Sequence, residues 1–321
     1  MARLVECVPN FSEGRSTEVV DALAAAVERT PEAILLDRTS DRDHNRSVLT
    51  FAGPPEAVTA AMESAVAVAL EQIDMDRHAG QHPRIGAVDV IPFVPLGDIS
   101  MVECVALARN FGSRLAQRFE LPVYLYGEAA RRPDRAVLAD IRRPQYEGLK
   151  DQIRLPDRAP DYGPSRMHPR GGAVAVGARP FLIAWNIDLE TEDVELARRI
   201  AFAVRERSGG LPRIQALGLH LAERRCAQVS MNLLDFRVTP LWRAWERVGE
   251  LAGEAGVRVR ESELIGLAPV DALLEVAAHL GAAEDAPVEP RIRLAAEWLR
   301  IREFQPGQVL ELRLAEATAR P

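Results

Sequence analysis

The chain is short of three residue types, and each shortage narrows its chemistry. Its 321 residues hold three cysteines, Cys7, Cys104 and Cys226, far apart and with no CxxC pair. That sets aside a disulfide framework and a thiolate zinc site, and fits a reducing compartment. Lysine occurs once, at Lys150, so 39 of the 40 basic residues are arginine. Schiff-base chemistry therefore has one candidate, and carboxylates must be held by arginine, which can grip them bidentately. Aromatic residues make up 5% of the chain, too few for a base-stacking platform. Positive charge is also in deficit. The net charge of −7 argues against a general nucleic-acid binder, although local charge can still attract a small anion. Long apolar runs are missing as well. No window approaches the ~18 residues of a membrane span, and the N-terminus has no charged segment followed by an apolar one. The expectation is a cytoplasmic protein that acts on neither nucleic acid nor membrane.

What remains is ordinary globular material, 47% hydrophobic and long enough for about two domains. Periodicity predicts strands at 4–8, 33–37, 46–51, 87–94 and 122–126. Helices are predicted at 16–29, at 54–73 and at 100–119, the first capped by Ser16. The second half repeats this grammar. Strands are expected at 173–177, 181–189, 215–221, 226–234 and 257–261. Helices are expected at 191–207, 240–255 and 269–279, with Thr191 as a cap. The fold class is therefore α/β (α+β). The strand-helix-strand-strand-helix-strand order suggests two ferredoxin-like subdomains with mixed sheets, facing each other across a cleft or tunnel. The division is placed at 1–172 and 173–321. Residues 131–172 hold Pro133, Pro144, Pro156, Pro160, Pro164 and Pro169, and are expected to form an irregular connection. Residues 283–290 read as a link to a last amphipathic segment, 291–301.

Three clusters could carry chemistry. The densest runs from Arg77 to Phe93 and includes His78, His82 and Arg84 beside Gly80, Pro83 and Gly86. Imidazole exchanges protons near neutrality, so this loop is either a connector or a proton-transfer site. His78 and His82 are four apart, but Gly80 and Pro83 break a helix there and no third ligand is suitably spaced, so no metal is expected. The second cluster, Asp37 to Arg46, sets Asp37, Asp41, Asp43, His44 and Asn45 at a strand-to-strand turn. It is a solvated hairpin or a carboxylate site. The third, Gly171 to Phe181, contains Gly172, Gly177 and Arg179 but lacks nucleotide-binding spacings. Its small residues suit either tight strand packing or close approach to a flat ligand. Asn10 and Asn232 complete the set. No GxSxG elbow occurs.

At these residues the chain resembles the formiminotransferase family. The matching stretches are VECVPNFSEGR (5–15), HNRSVLTF (44–51), HAGQHPRIGAVDVIPFVPL (78–96), PVYLYGEAA (122–130), GAVAVGARPFLIAWNIDL (172–189) and QVSMNLLDF (228–236). They run in order through both halves. The resemblance implies transfer of a formimidoyl group between N5 of tetrahydrofolate, as co-substrate, and L-glutamate, in histidine degradation. It implies the transferase portion alone, without the cyclodeaminase domain of animal members, and a homodimer. The family's catalytic histidine falls on His82 and its active-site arginine on Arg179. The family's active-site aspartate falls on Thr39, which leaves Asp37 and Asp41 as the nearby carboxylates. Arg84, Asn10, Asn45, Gly172, Gly177 and Asn232 are the expected substrate- and folate-binding residues. Two other readings stand beside this one. Formyl transfer from 5-formyltetrahydrofolate to glutamate would need oxygen stabilisation, from Asn10 or His44. A non-catalytic folate-binding protein would bind without turnover.

Overall fold

Ser16 stops the backbone short of a helix and accepts from Val19 N–H, one of the donors a helix start leaves unpaired. From there Val20, Leu23, Ala24 and Val27 place an apolar stripe on one side of α1 (Thr17–Glu28). The computed structural model describes residues 3–80 and 83–319, and divides them into a first unit ending at Pro180 and a second beginning at Phe181.

In the first unit β1 (Arg3–Cys7) and β2 (Asn10–Phe11) form one interrupted strand. Pro9 between them has no N–H to give a ladder. Both segments pair antiparallel with β4 (Arg46–Gly53) on one side and β5 (Val88–Gly97) on the other. β3 (Ile34–Asp41) is the hairpin partner of β4. Helix α1 and α2 (Pro55–Gln72) complete a strand-helix-strand-strand-helix-strand unit with sheet order β3-β4-β1-β5. That is the ferredoxin-like order expected. A third helix, α3 (Met101–Phe119), opens on a capping box between Ser100 and Glu103. It leads to β6 (Val123–Gly127). β7 (Val174–Ala178) lies parallel to both β5 and β6.

The position of β7 shifts the expected boundary. The sequence places residues 173–177 in the second lobe, whereas β7 is an interior strand of the first sheet and the first unit runs to Pro180. Residues 131–172 also differ from an irregular connection. They hold α4 (Leu138–Arg142) and α5 (Gln145–Gln152), and Ile141, Leu149 and Ile153 pack with Val90, Tyr124, Tyr126 and Ala175 as a small core. Hidden in the proline count is a lid on half of the sheet. The main core lies on the other face, under α1, α2 and α3.

The second unit is β8 (Ile183–Leu189), α6 (Val194–Val204), β9 (Ile214–Leu221), β10 (Cys226–Leu233), α7 (Leu241–Glu254) and β11 (Val259–Ile265), in sheet order β11-β8-β10-β9. Every pair in it is antiparallel. The expected mixed character therefore belongs to the first sheet, where β6 and β7 are added beyond the ferredoxin-like order. Asp193, not Thr191, caps α6, accepting from Glu195 and Leu196 N–H. Three more helices follow, α8 (Val270–His279), α9 (Val288–Trp298) and α10 (Leu310–Ala319). The amphipathic segment expected at 291–301 is seated through Ile292, Ala295, Ala296 and Leu299 in the core of this same unit.

One crossing in the first unit leaves no room for a side chain. Gly86 and Gly172 bridge each other, and a Cβ on Gly86 would stand 2.0 Å from the Ala173 carbonyl oxygen. Backbone on both sides cannot yield. Gly86→Ala is expected to destabilise the first unit by about 1–3 kcal/mol. All four tyrosines lie in this unit and all four tryptophans in the other, so tyrosine absorbance during urea unfolding reads it. An unshifted tyrosine transition would contradict the packing argument.

Candidate active site

Strand register decides which side chains share a face, because successive residues alternate. Asp37, Thr39 and Asp41 lie across from Thr50, Val48 and Arg46. Asn10 lies across from both Val48 and Val90, and Glu6 across from Ala52 and Val94. Their neighbours Val5, Cys7, Leu49 and Phe51 belong to the core under the helices. Asp37, Thr39, Asp41, Arg46, Asn10 and Glu6 therefore share the opposite face. Ala175 and Gly177 of β7 face the same way, and Arg179 continues their alternation one residue past the strand. Helices α4 and α5 cover the β5–β7–β6 half of this face through Tyr124, Tyr126 and Ala175. The β3–β4–β1 half carries the expected carboxylates and Asn10.

Three loops meet at one end of that face. Asn45 takes a left-handed backbone, φ 49°, at the β3–β4 turn. Its Oδ1 accepts from Gly14 N–H at 3.0 Å and its Nδ2 donates to the Ala79 carbonyl at 3.0 Å. Its own carbonyl accepts from the His78 ring at 2.9 Å. Ser12 donates to the Gly86 carbonyl at 2.8 Å, tying the loop after β2 to the start of β5. Arg84 is buried and braces the 77–84 segment. Its guanidinium grips Glu147 of α5 through two bonds of 2.9 and 2.7 Å, and its Nε donates to His78 Nδ1 at 3.1 Å. Because Arg84 only donates, His78 Nδ1 must accept and Nε2 must carry the hydrogen. His78 is thus held as a neutral ring with both nitrogens engaged. Burial pushes its pKa down, and the nearby Arg84 charge adds to this. His82, the expected catalytic histidine, lies outside the described residues.

At the same turn Asp41 accepts from the backbone N–H groups of Asp43 and His44 through Oδ1, and meets His44 Nδ1 through Oδ2 at 2.7 Å. Burial raises the Asp41 carboxyl, but the His44 backbone and ring outweigh that and hold it below its ordinary value. Behind it, burial and the neighbouring Arg142 lower Arg46, while Asp41 and Asp89 counteract them. Asp89 is buried, accepts from Ile85 N–H at 2.9 Å and pairs with Arg142 of α4. At the other end of the face Arg179 donates to the Pro180 carbonyl at 3.0 Å and lies beside Tyr126 and Cys7. Both of those groups are raised, first by burial, and the Arg179 charge opposes the rise.

The first unit thus gathers Asn10, Asp37, Asp41, Asn45, Arg84 and Arg179 around one face and its rim. Gly172 and Gly177 serve packing in this structure. A Cβ on Gly177 would meet the Tyr126 ring at 2.5 Å, and one on Gly172 would meet the Ile85 carbonyl at 2.5 Å. Asn232 lies in the second unit, on β10 between Gln215 and Ala184. Sequence reasoning missed Glu147, Asp89 and Arg142. No spacing signals the first or the last, since both lie in the proline-rich stretch. Asp89, a lone charge inside an apolar strand, was the one available cue.

His78 gives this end of the fold a pH dependence. Its folded pKa is below its unfolded one, so its contribution is complete above about pH 6.5 and declines as the pH falls below that. His168, lowered first by burial, acts in the same direction. The urea midpoint is expected to drop between pH 6.5 and 5, and less steeply in His78→Gln. An identical slope in that variant would contradict the assignment of His78 as a neutral brace.

Comparison with known proteins now adds the family. The model of the formiminotransferase domain, N-terminal subdomain, matches residues 4–179, and that of the formiminotransferase domain matches 184–312. The chain is 43% identical to the glutamate formimidoyltransferase of Thermoplasma acidophilum, over 98% of each chain. It is 43% identical to that of Streptococcus pyogenes, over 89% of this chain and 95% of the other. It is 45% identical to the formimidoyltransferase-cyclodeaminase of Rattus norvegicus over 95% of its own length, and spans 58% of that longer relative. Matched in order by both models over most of its length, the chain belongs to the formiminotransferase family.

Proposed function

We propose that the protein transfers the formimidoyl group between N5 of tetrahydrofolate and the amine of L-glutamate. One observation carries this reading: the likeness to the Thermoplasma acidophilum glutamate formimidoyltransferase runs end to end in both chains. The residue types on this face of the first unit suit the chemistry. The formimidoyl group is a cationic amidinium, so a carboxylate beside it stabilises the charge. Asp37 and Asp41 lie on one face with Thr39 and are the groups for that role. Glutamate and the folate tail bring carboxylates, which arginine holds. Arg179 serves there, because the Arg84 guanidinium is engaged by Glu147 and His78. Asn10 contacts substrate on this face of the first unit. Asn45 contributes by shaping the loops, and Gly172 and Gly177 by letting the backbone pass closely. His82 is the proton-transfer group, in a segment pinned at Ala79 and again at Arg84.

The proton balance shows why a base is needed. Glutamate enters as an ammonium, and its nitrogen must lose two protons to become the amidine nitrogen of the product. One of the two ends on folate N5 and the other in solvent. Among the described residues no helix is long and apolar enough to cross a membrane, and the three cysteines are free. A homodimer in the cytoplasm is the setting proposed, with tetrahydrofolate as co-substrate and no bound metal.

Purified protein given 5-formimidoyltetrahydrofolate and glutamate is expected to release tetrahydrofolate. His82→Ala is expected to lose about 10²–10⁴-fold in kcat. Turnover of 5-formyltetrahydrofolate alone would replace this reading with formyl transfer. Tight folate binding without turnover of either donor would remove the enzymatic reading.

A further inference from the structure

We propose that the second unit carries a binding site for an aromatic α-amino acid, in a cavity between α7, α9 and the start of β11. The site lies wholly within the second unit and does not depend on the reading under Proposed function. The cavity is about 530 Å³, within the roughly 300–1,000 Å³ of small-molecule sites. Trp245 of α7 and Trp298 of α9 wall it. Their ring centroids are 6.3 Å apart and the planes meet at 54°, which makes an aromatic corner. Both rings are held from within the unit: Trp245 packs on buried Trp185 at 6.0 Å, and Trp298 on His279 at 5.9 Å. A flat apolar group placed there gains aromatic contact without first having to order the walls.

Beside Trp245 the lining is bare backbone. Gly249 lies within α7 and Gly253 one turn later, and a Cβ on either would have nothing within 4 Å. Glycine weakens a helix, so a packing contact is the ordinary reason for one. Gly112 of α3 is such a case, since its Cβ would meet Val123 at 3.1 Å. Gly249 and Gly253 have no such neighbour in the chain. They leave open the space that a larger side chain would fill.

The rim supplies partners for both charges of an amino acid. Arg300 follows α9 on a left-handed backbone, φ 50°, a position where glycine is usual. Its Nη1 donates to the Val259 carbonyl at 2.8 Å, which fixes the guanidinium beside β11 and leaves Nε and Nη2 to donate. Arg258, 84% exposed, uses only Nε, on Glu190 at 3.0 Å, and keeps both terminal nitrogens. Two arginines with spare donors suit one carboxylate. Glu297, next to Trp298, also lines the cavity. Among the described residues its carboxylate has no hydrogen-bond or ion-pair partner, so it can accept from an ammonium. A carboxylate, an ammonium on the adjacent carbon and a flat side chain match all three surfaces at once. An aromatic acid alone sets its charge against Glu297, and an aromatic amine alone sets its charge against the arginines.

All four tryptophans lie in the second unit, so their emission reports this cavity directly. The test titrates the whole chain with L-phenylalanine, which does not absorb where tryptophan is excited. A saturable change with a Kd of about 1 mM or tighter is expected. 3-Phenylpropanoate lacks the ammonium and 2-phenylethylamine lacks the carboxylate, and each is expected to bind about tenfold or more weakly. Glu297→Gln is expected to bind phenylalanine and 3-phenylpropanoate about equally, because only the ammonium loses a partner. Gly249→Leu has room for its Cβ and gains a better helix former, so its melting temperature is expected to equal or exceed that of wild type while phenylalanine binding falls about tenfold or more. Should Gly249→Leu melt below wild type, the Glu297→Gln comparison decides. No saturable response to phenylalanine, equal responses to the three probes, or unchanged binding in a folded Gly249→Leu overturns the proposal. Self-association seen by sedimentation and lost in Gly249→Leu also overturns it, because the cavity is then a contact between copies of the chain.

Discussion

The amide of Asn45 is the constraint on which the candidate site depends. One side chain, on a backbone twisted to φ 49°, holds the loop after β2 through Gly14 and the loop after α2 through Ala79. Its carbonyl holds His78 as well. Asparagine is among the few residues that tolerate this backbone while still offering a donor and an acceptor. The bonds are local, but they fix the ends of three separate chain segments. Arg84 completes the brace from below by joining His78 to Glu147 of α5. Removing it would leave a ring nitrogen without its donor inside the fold, a loss of about 1–3 kcal/mol by the usual cost of an unpaired buried polar group.

Neighbouring charged groups at this end of the face are held in fixed arrangements. His78 is kept neutral by burial and by Arg84, and so stays a structural element. Asp41 is kept ionised by the turn it closes. Asp89 and Arg142 form a largely buried pair behind Arg46. The opposite half of the face is covered by α4 and α5.

Much of this was legible in the sequence, for reasons specific to each element. The helices carry strong apolar stripes and recognisable caps at Ser16 and Ser100, so their starts could be read. The repeated strand-helix order gave the ferredoxin-like topology of both units. Pairing between distant strands leaves no local mark, which is why β7 was placed in the wrong half: its parallel partners, β5 and β6, lie 47 or more residues earlier. The helices of 131–172 were obscured because they are short and interleaved with prolines, and only tertiary burial of Ile141, Leu149 and Ile153 stabilises them. In the site, the His/Asp/Asn clusters were visible as unusual composition. That His78 is a brace depends on hydrogen-bond partners from other loops, Arg84 and Asn45, and spacing does not encode that.

Substrate is proposed to meet the first unit at the end of the sheet face organised by Asn45. Hydrogen–deuterium exchange, with and without 5-formyltetrahydrofolate as a stable folate probe, tests it most directly. Slowed exchange is expected in the backbone of residues 8–15, 37–46 and 77–87. Protection elsewhere in the chain with these three segments unchanged would contradict it.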